Sequence, residues 1–309
     1  MNQQLKAVVL LNVAGGELRR LGRETVQKHL GEAFETHGID AELVFLPGNE
    51  IGPAAAQALE RAKRKEIDAI IVGGGDGTVN TVAALLAGTN VPLGVLPLGT
   101  LNHFAKDLGI PASLPDAVAI IAQNRAVAVD VAEVNANIFI NNSSIGIYPH
   151  IVLDRDRIMR RRHQPKWIAL VVALIRIARR FPVHRLLVAA AGHTKPYRTP
   201  CLFVGNDAYR LDIDSFGRRQ RLDEGLLDVY VTKPGGPAAL FLLACRALLG
   251  FLDEKDLDHW QVPSADVLSR KHRLLVALDG EVRVLHSPLH YRSRSKALNV
   301  YVAKEFEGR

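Results

Sequence analysis

The run Ile70-Ile71-Val72-Gly73-Gly74-Gly75-Asp76-Gly77-Thr78-Val79-Asn80 constrains the fold of this chain more than any other stretch. An apolar β run empties into a glycine-rich turn with one acid and one hydroxyl, and a helical pattern begins near Thr78. Glycines without a Cβ let backbone N–H groups approach phosphate oxygens, and the positive end of the following helix favours the anion. Asp76 alone would repel phosphate. A carboxylate beside a polyanion points to a metal, a ribose or nucleotide hydroxyl, or a hydrogen-bonded loop, and so narrows the ligand toward a nucleotide. Familiar phosphate motifs do not fit. A dinucleotide fingerprint needs glycine at 78 or 80, where Thr78 and Asn80 stand, and no Walker-type Gly-Lys-Ser/Thr occurs. The turn by itself also reads as a plain strand-to-helix connection in which the glycines serve only geometry.

A second run, Gly94-Val95-Leu96-Pro97-Leu98-Gly99-Thr100-Leu101-Asn102-His103-Phe104-Ala105, repeats the order of strand, turn and polar helix start. Both turns belong to a first part, to about residue 125, in which strands (7–11, 42–46, 68–72, 93–96) alternate with helices (17–36, 53–65, 79–86, 114–123). That alternation predicts a parallel sheet with ligands at the carboxyl ends of its strands, where both turns lie. From about Val127 the period changes to two. Short runs at 127–134, 138–142, 186–190, 202–204, 226–231 and 274–278 predict an antiparallel sandwich, interrupted by helices over 166–180 and 238–252.

The 309 residues, 48% of them hydrophobic, can bury a real core and exceed one typical domain. Cys201 and Cys245 both sit in apolar segments and read as buried small hydrophobes in a reducing compartment. The polar start, residues 1–6, carries no secretory pattern, and the apolar runs at 167–175 and 238–244 are well short of the roughly 20 residues that span a bilayer. A soluble or peripheral protein is expected. Net charge is +7, and Arg155, Arg157, Arg160, Arg161, Arg162 and Lys166 crowd together, a patch that attracts polyanions or forms a solvated face. No recognition-helix motif accompanies it, so nucleic acid is set aside.

The two glycine-rich loops together resemble the catalytic domain of the diacylglycerol kinase and sphingosine kinase family, in its bacterial lipid kinase branch, within the NAD kinase-like fold superfamily. That family carries Gly-Gly-Asp-Gly-Thr-x-Asn followed some twenty residues later by Pro-x-Gly-Thr-x-Asn-Asp-Phe-Ala; here His103 stands where the family usually has Asp. The resemblance implies α/β plus β architecture: a three-layer parallel-sheet nucleotide-binding domain over 1–126, completed by 298–309, an antiparallel β-sandwich lipid domain over 127–297, and an active site in the interdomain cleft. Nucleotide contacts would come from Asn12, Gly74, Gly75, Asp76, Gly77, Thr78, Asn80, Gly99, Thr100 and Asn102. Asn12 heads Leu11-Asn12-Val13-Ala14-Gly15-Gly16, which is similar to the family's Asn-Pro-x-Ser-Gly but departs at Val13 and Ala14; the family's Thr after the second strand has no counterpart in 44–52.

Leu278-Asp279-Gly280-Glu281 resembles the family's Asp-Gly-Glu, which makes Glu281 the proton acceptor and has Asp279 position metal or hydroxyl, with Asp76 a third carboxylate of the catalytic set. From the residues alone a hairpin turn is an equal reading. The stretch 221–228 resembles a turn that holds a structural Mg²⁺, implying Arg221 and Leu226 as carbonyl ligands and Glu224 as the carboxylate; an ordinary acidic hairpin turn is the alternative. The expectation is therefore an ATP-dependent, Mg²⁺-requiring lipid kinase, cytoplasmic and held at the inner face of the membrane by anionic phospholipid contact with the basic cluster. Self-association as a homodimer is left open. An NAD kinase-type enzyme with a soluble substrate and a nucleotide-sensing, membrane-surface protein without catalysis are the competing readings.

Overall fold

The computed structural model describes residues 4–153, 183–207, 221–233, 236, 257–304 and 306. The helices expected over 166–180 and 238–252, the basic cluster from Arg155 to Lys166, Trp167 and Cys245 lie outside the described residues. The chain divides into two compact units. The first comprises residues up to Val131, Arg221–Asp223 and residues from Ser295 onward; the second runs from Ala132 to Arg294 apart from those three residues.

In the first unit, strands and helices alternate as β1 (Lys6–Asn12), α1 (Gly16–Leu21), α2 (Arg23–Thr36), β2 (Asp40–Leu46), α3 (Gly48–Lys63), β3 (Ala69–Gly74), α4 (Asp76–Leu86), β4 (Leu93–Pro97), α5 (His103–Asp107) and α6 (Leu114–Ala122). The strands pair in parallel in the order β2-β1-β3-β4. Their sequences are near-continuous apolar runs because both faces are covered. Leu10, Val72 and Val95 share one row across the sheet and are at most 1% exposed. Helices α3 and α4 pack together over β1 and β3, and α2 packs with α6 over β2 and β4, which makes three layers.

Local chemistry moves several boundaries. The helix expected over 17–36 is two helices, broken at Gly22, whose φ of 86° a residue with a Cβ rarely adopts. Helix α3 begins at Gly48, after extended Pro47, so Pro53 stands inside it rather than in its first turn. Helix α4 begins at Asp76, two residues before Thr78, with extended Gly75 as its N-cap. The phosphate-type turn is thus shorter than its sequence suggests, and more of its N–H groups belong to the first helical turn.

The second unit is built from strands β5 (Ala126–Val134), β6 (Asn137–Phe139), β7 (Asn142–Gly146), β8 (His184–Ala190), β9 (His193–Thr199), β10 (Cys201–Asn206), β11 (Leu227–Thr232), β12 (Leu257–Val262), β13 (Ser264–Ser269), β14 (Arg273–Leu278), β15 (Glu281–His286) and β16 (Leu289–Tyr301), with β5 and β16 each shared with the first unit. One antiparallel sheet has the order β12-β11-β10-β7-β14-β15. The other places β16, β13, β8 and β9 side by side. Their inner faces meet in one core, where Val204, Val229 and Val276 pack with Val188, Val267 and Tyr291. The Tyr291 hydroxyl lies 3.0 Å from that of Ser143, so the polar tip of this ring has a partner within the packing.

The chain enters the second unit within β5 and returns within β16. In the first unit the end of β16 lies parallel to β4, with Val300 opposite Leu93. The Gly88 N–H donates to the Ala297 carbonyl at 2.6 Å, and the Asn299 amide donates to the Thr89 carbonyl at 3.2 Å. Arg125 holds the backbone beyond β16 in place, its guanidinium donating to the carbonyls of Ala303, Lys304 and Phe306 at 2.7–2.9 Å. Among the described residues no helix is long and apolar enough to cross a membrane.

Candidate nucleotide-binding and catalytic site

Three loops of the first unit leave the carboxyl ends of neighbouring parallel strands, and specific atoms join them. Asn12, last in β1, donates from its amide to the Thr78 hydroxyl at 2.8 Å, and its amide oxygen accepts the Ala14 N–H at 2.9 Å. The β1 loop also meets the third loop: the Glu17 N–H donates to the Leu98 carbonyl at 3.1 Å, and a Cβ on Gly16 would lie 3.1 Å from the Thr100 hydroxyl.

The second and third loops touch where Gly99 leaves no room for a side chain. A Cβ on Gly99 would collide with the Gly75 Cα and come within 2.6 Å of the Asn102 amide oxygen. A Cβ on Gly74 would sit 2.6 Å from that of Thr78. The glycines therefore admit backbone and a helix start into one small space. Asp76 fastens the same junction, its carboxylate accepting the Phe104 N–H at 3.2 Å.

Asn102 builds the third loop. It holds the left-handed conformation (φ 51°, ψ 46°), which Asn tolerates better than most residues. Its amide oxygen accepts the Gly99 N–H at 2.9 Å, while its amide nitrogen donates to the carbonyls of Gly99 at 3.0 Å and Pro97 at 3.3 Å. Asn80 is different: it lies inside α4, 6% exposed, with an amide oxygen that meets no donor among the described residues. His103 and Thr100 are exposed at the loop surface.

At the head of α4 the first intrahelical bond is donated by the Val79 N–H to the Gly75 carbonyl. The N–H groups of Asp76, Gly77 and Thr78 precede it and point out of the helix start, the donor set and dipole end an anion takes. The cradle thus fits a nucleotide's phosphates.

In the second unit, Asp279 and Gly280 form the two-residue turn between β14 and β15, with φ of 47° and 84°. Both central residues at positive φ make it a type I′ hairpin turn. The hairpin reading therefore holds for the backbone of these residues. The Asp279 carboxylate accepts three backbone N–H groups, from Ile140 at 2.8 Å, Asn141 at 2.8 Å and Asn142 at 2.9 Å. Glu281 opens β15 with its side chain 53% exposed, and its carboxylate lies 3.5 Å from the Arg283 guanidinium.

The division between the units falls inside the loop expected to hold structural Mg²⁺, after Asp223. Two carbonyls and a carboxylate are hard oxygens of the kind Mg²⁺ takes. The Leu226 carbonyl already accepts the Asp207 N–H at 3.0 Å, the Arg221 side chain turns to Asp223 at 3.1 Å, and Glu224 is exposed. Among the described residues no three His, Cys, Asp or Glu side chains gather as a metal site.

Residues 6–134 match the family described as the diacylglycerol kinase catalytic domain. This segment of the chain is similar to that family's catalytic domain. The match takes in all three loops of the first unit and stops before the Asp279–Glu281 turn. Over 105 residues, the chain is 42% identical to a YegS-like probable lipid kinase from Citrobacter koseri, an alignment covering 32% of this chain and 35% of that one. A probable lipid kinase YegS from Escherichia coli O1:K1 is 40% identical over the same length and shares. The chain therefore spans about a third of the length of these curated relatives. An uncharacterized Synechocystis protein is 27% identical over 262 residues, covering 83% of this chain and 60% of that one. A crystal structure of a diacylglycerol kinase from Bacillus anthracis superposes with a TM-score of 0.69 at 21% identity, covering 98% of this chain and 99% of that one, which shows the shared fold.

Two contributors to the loops of these units went unread in the sequence. The backbone of Ile140 to Asn142 receives Asp279, and Gly48 lies against Asn12, a Cβ there falling 3.2 Å from the Asn12 amide. The first has a faint signal, the polar run Asn141-Asn142-Ser143-Ser144 interrupting a β pattern. The second has none, because a helix-start glycine looks the same wherever it packs.

Proposed function

We propose that the protein is a lipid kinase that transfers the γ-phosphoryl group of ATP to the hydroxyl of a diacylglycerol-like or sphingoid acceptor. One observation carries the nucleotide half: the Gly75–Gly99 contact, the Asn12–Thr78 bond and the Asp76–Phe104 bond join three strand-end loops around the unbonded N–H groups at the head of α4. The naming of its relatives as probable lipid kinases supports the acceptor half.

In this reading the N–H groups of Asp76, Gly77 and Thr78 bind the donor phosphates, with Gly99 and Thr100 closing the loop beside them. Phosphoryl transfer needs positioning and charge neutralisation more than covalent chemistry. Bound Mg²⁺ supplies the neutralisation; Arg221, Glu224 and Leu226 would hold the structural ion. Glu281 accepts the proton of the acceptor hydroxyl as that oxygen bonds to the γ-phosphorus and ADP leaves. Asp279, engaged by three N–H groups, positions the turn from which Glu281 projects.

The test is transfer of labelled γ-phosphate to an extracted lipid mixture, with mass identification of the product. Labelled lipid supports the proposal, whereas label appearing on NAD instead, or on no lipid at all, overturns it. Loss of a general base costs roughly 10²–10⁴-fold. Glu281→Gln should therefore lose at least about a hundredfold in turnover and keep its nucleotide affinity.

A further inference from the structure

The outer face of the second unit's β9-β8-β13 sheet is sorted into rows. Register places Pro196 of β9 opposite Leu187 of β8, and Leu187 opposite Leu268 of β13. All three are exposed, Leu187 by 37% and Leu268 by 41%. They turn away from the core that their neighbours Leu186, Val188 and Val267 fill. The next row holds Arg198 opposite Arg185, and Arg270 follows directly after β13. These arginines are exposed and, among the described residues, form no ion pair or hydrogen bond through their side chains. On the opposite side of the apolar row, Thr194, Ala189 and Asp266 face one another, and the carboxylate there is taken by His290 at 2.7 Å.

Alternate residues on a strand lie about 7 Å apart and neighbouring strands about 4.8 Å apart. An apolar strip about 10 Å across therefore runs beside a strip of guanidinium groups that no carboxylate among the described residues neutralises. Each strip fails to explain itself alone. Exposed aliphatics on adjacent strands have no folding purpose, and three such arginines repel one another.

We infer that this face docks on an anionic phospholipid surface. The aliphatic row enters the head-group boundary, and Arg185, Arg198 and Arg270 pair with lipid phosphates, which guanidinium groups bind in bidentate fashion. Arginine suits the boundary because its methylene stem lies along apolar surface while its head stays wet. A second copy fits poorly: a two-fold turned about the apolar row sets the arginines against Thr194, Ala189 and Asp266, whose one carboxylate His290 already holds, and one turned across it sets arginine against arginine. An acidic protein partner would satisfy the charges but leaves the flat aliphatic row without the pocket that anchors protein interfaces.

The inference goes beyond the kinase reading and is tested without nucleotide. The full chain is sedimented with vesicles of phosphatidylcholine alone and of phosphatidylcholine with phosphatidylglycerol. Preferential binding to the anionic vesicles is expected. Each basic residue at such a surface contributes roughly fivefold in partitioning, so Arg185→Gln/Arg198→Gln/Arg270→Gln should weaken it on the order of a hundredfold. Leu187→Ser/Leu268→Ser should weaken it roughly tenfold with the charges intact. All five side chains are exposed, and a melting curve for each variant reports its folding. Unchanged partitioning in either folded variant, equal binding to neutral vesicles, or binding to polyglutamate but not to vesicles overturns the inference. Loss of vesicle binding with phosphoryl transfer to detergent-dispersed lipid retained leaves the kinase reading standing, so the two fail separately.

Discussion

Asn102 shows how much one side chain can organise. It occupies a left-handed backbone position and closes the Pro97–Gly99 turn through three bonds. Asn102→Ala removes those bonds and leaves a Cβ residue at positive φ. A destabilisation of about 2–3 kcal/mol is expected by denaturant unfolding, with weaker nucleotide binding measured by fluorescence titration. Unchanged unfolding would mean that the loop holds its shape without this amide. Cys201 makes a second residue-scale case, since burial pushes its thiol up to about 11. The thiolate is the reactive form and rises only as pH approaches that value. In a Cys245→Ser background, iodoacetamide should leave the native protein unmodified at pH 8 and label it readily once unfolded, as mass spectrometry would read directly. At this scale the sequence was most legible where a residue acts locally. Asp76 and Asn102 stand out in their motifs, yet that Asp76 receives the Phe104 N–H from the next loop could not be read, because the contact depends on how two strands pair.

At the scale of elements, the β14–β15 hairpin rests on a polar clasp. The Asp279 carboxylate gathers three consecutive N–H groups just ahead of β7 and within it. Asp279→Ala would leave those donors without their acceptor, a loss of about 3 kcal/mol in unfolding free energy; a neutral result would show that the clasp is dispensable. A second tie joins edge strands of different sheets. Asp258 of β12 accepts from Lys195 and Tyr197 of β9, both at 2.6 Å, and Tyr197 meets Trp260 edge to face. Those hydrogen bonds, Lys195 first, hold the Asp258 carboxyl below the usual carboxylate range. A group depressed by folding stabilises above its ordinary pKa, and the contribution is lost as pH falls through the folded value. Wild type should therefore melt above Asp258→Asn at pH 7, and the gap should close below about pH 4; a gap independent of pH would refute this. The parallel strands were legible as apolar runs. Strands β9, β12, β13 and β15 were not, since edge or one-sided strands carry polar residues such as His193, Lys195, Asp258, Arg283 and His286 in patterns too weak to separate from loop.

For the whole molecule, the separation into a parallel and an antiparallel part follows from the change of period near Val127. The units themselves interleave more than a linear reading allows: the first takes in Arg221–Asp223 and the stretch from Ser295. The Asp130 N–H donates to the Leu222 carbonyl at 2.7 Å, and the Asp130 carboxylate accepts the Lys296 N–H at 2.6 Å. No local pattern announces such bonds, because their partners are separated by much of the chain. A fragment ending at Val131 would expose the free edge of β4, an invitation to aggregate. It should be recovered mainly in the insoluble fraction, and the full chain in the soluble one; a soluble, nucleotide-binding fragment would contradict this. The strand beside β4 also has a consequence for translation. It leaves the ribosome only after the second unit's strands, so the parallel sheet stays unfinished through most of synthesis. A nonsense codon anywhere before Ser295 should then abolish nucleotide binding as surely as one near the start, even though every residue of the three strand-end loops had already been made.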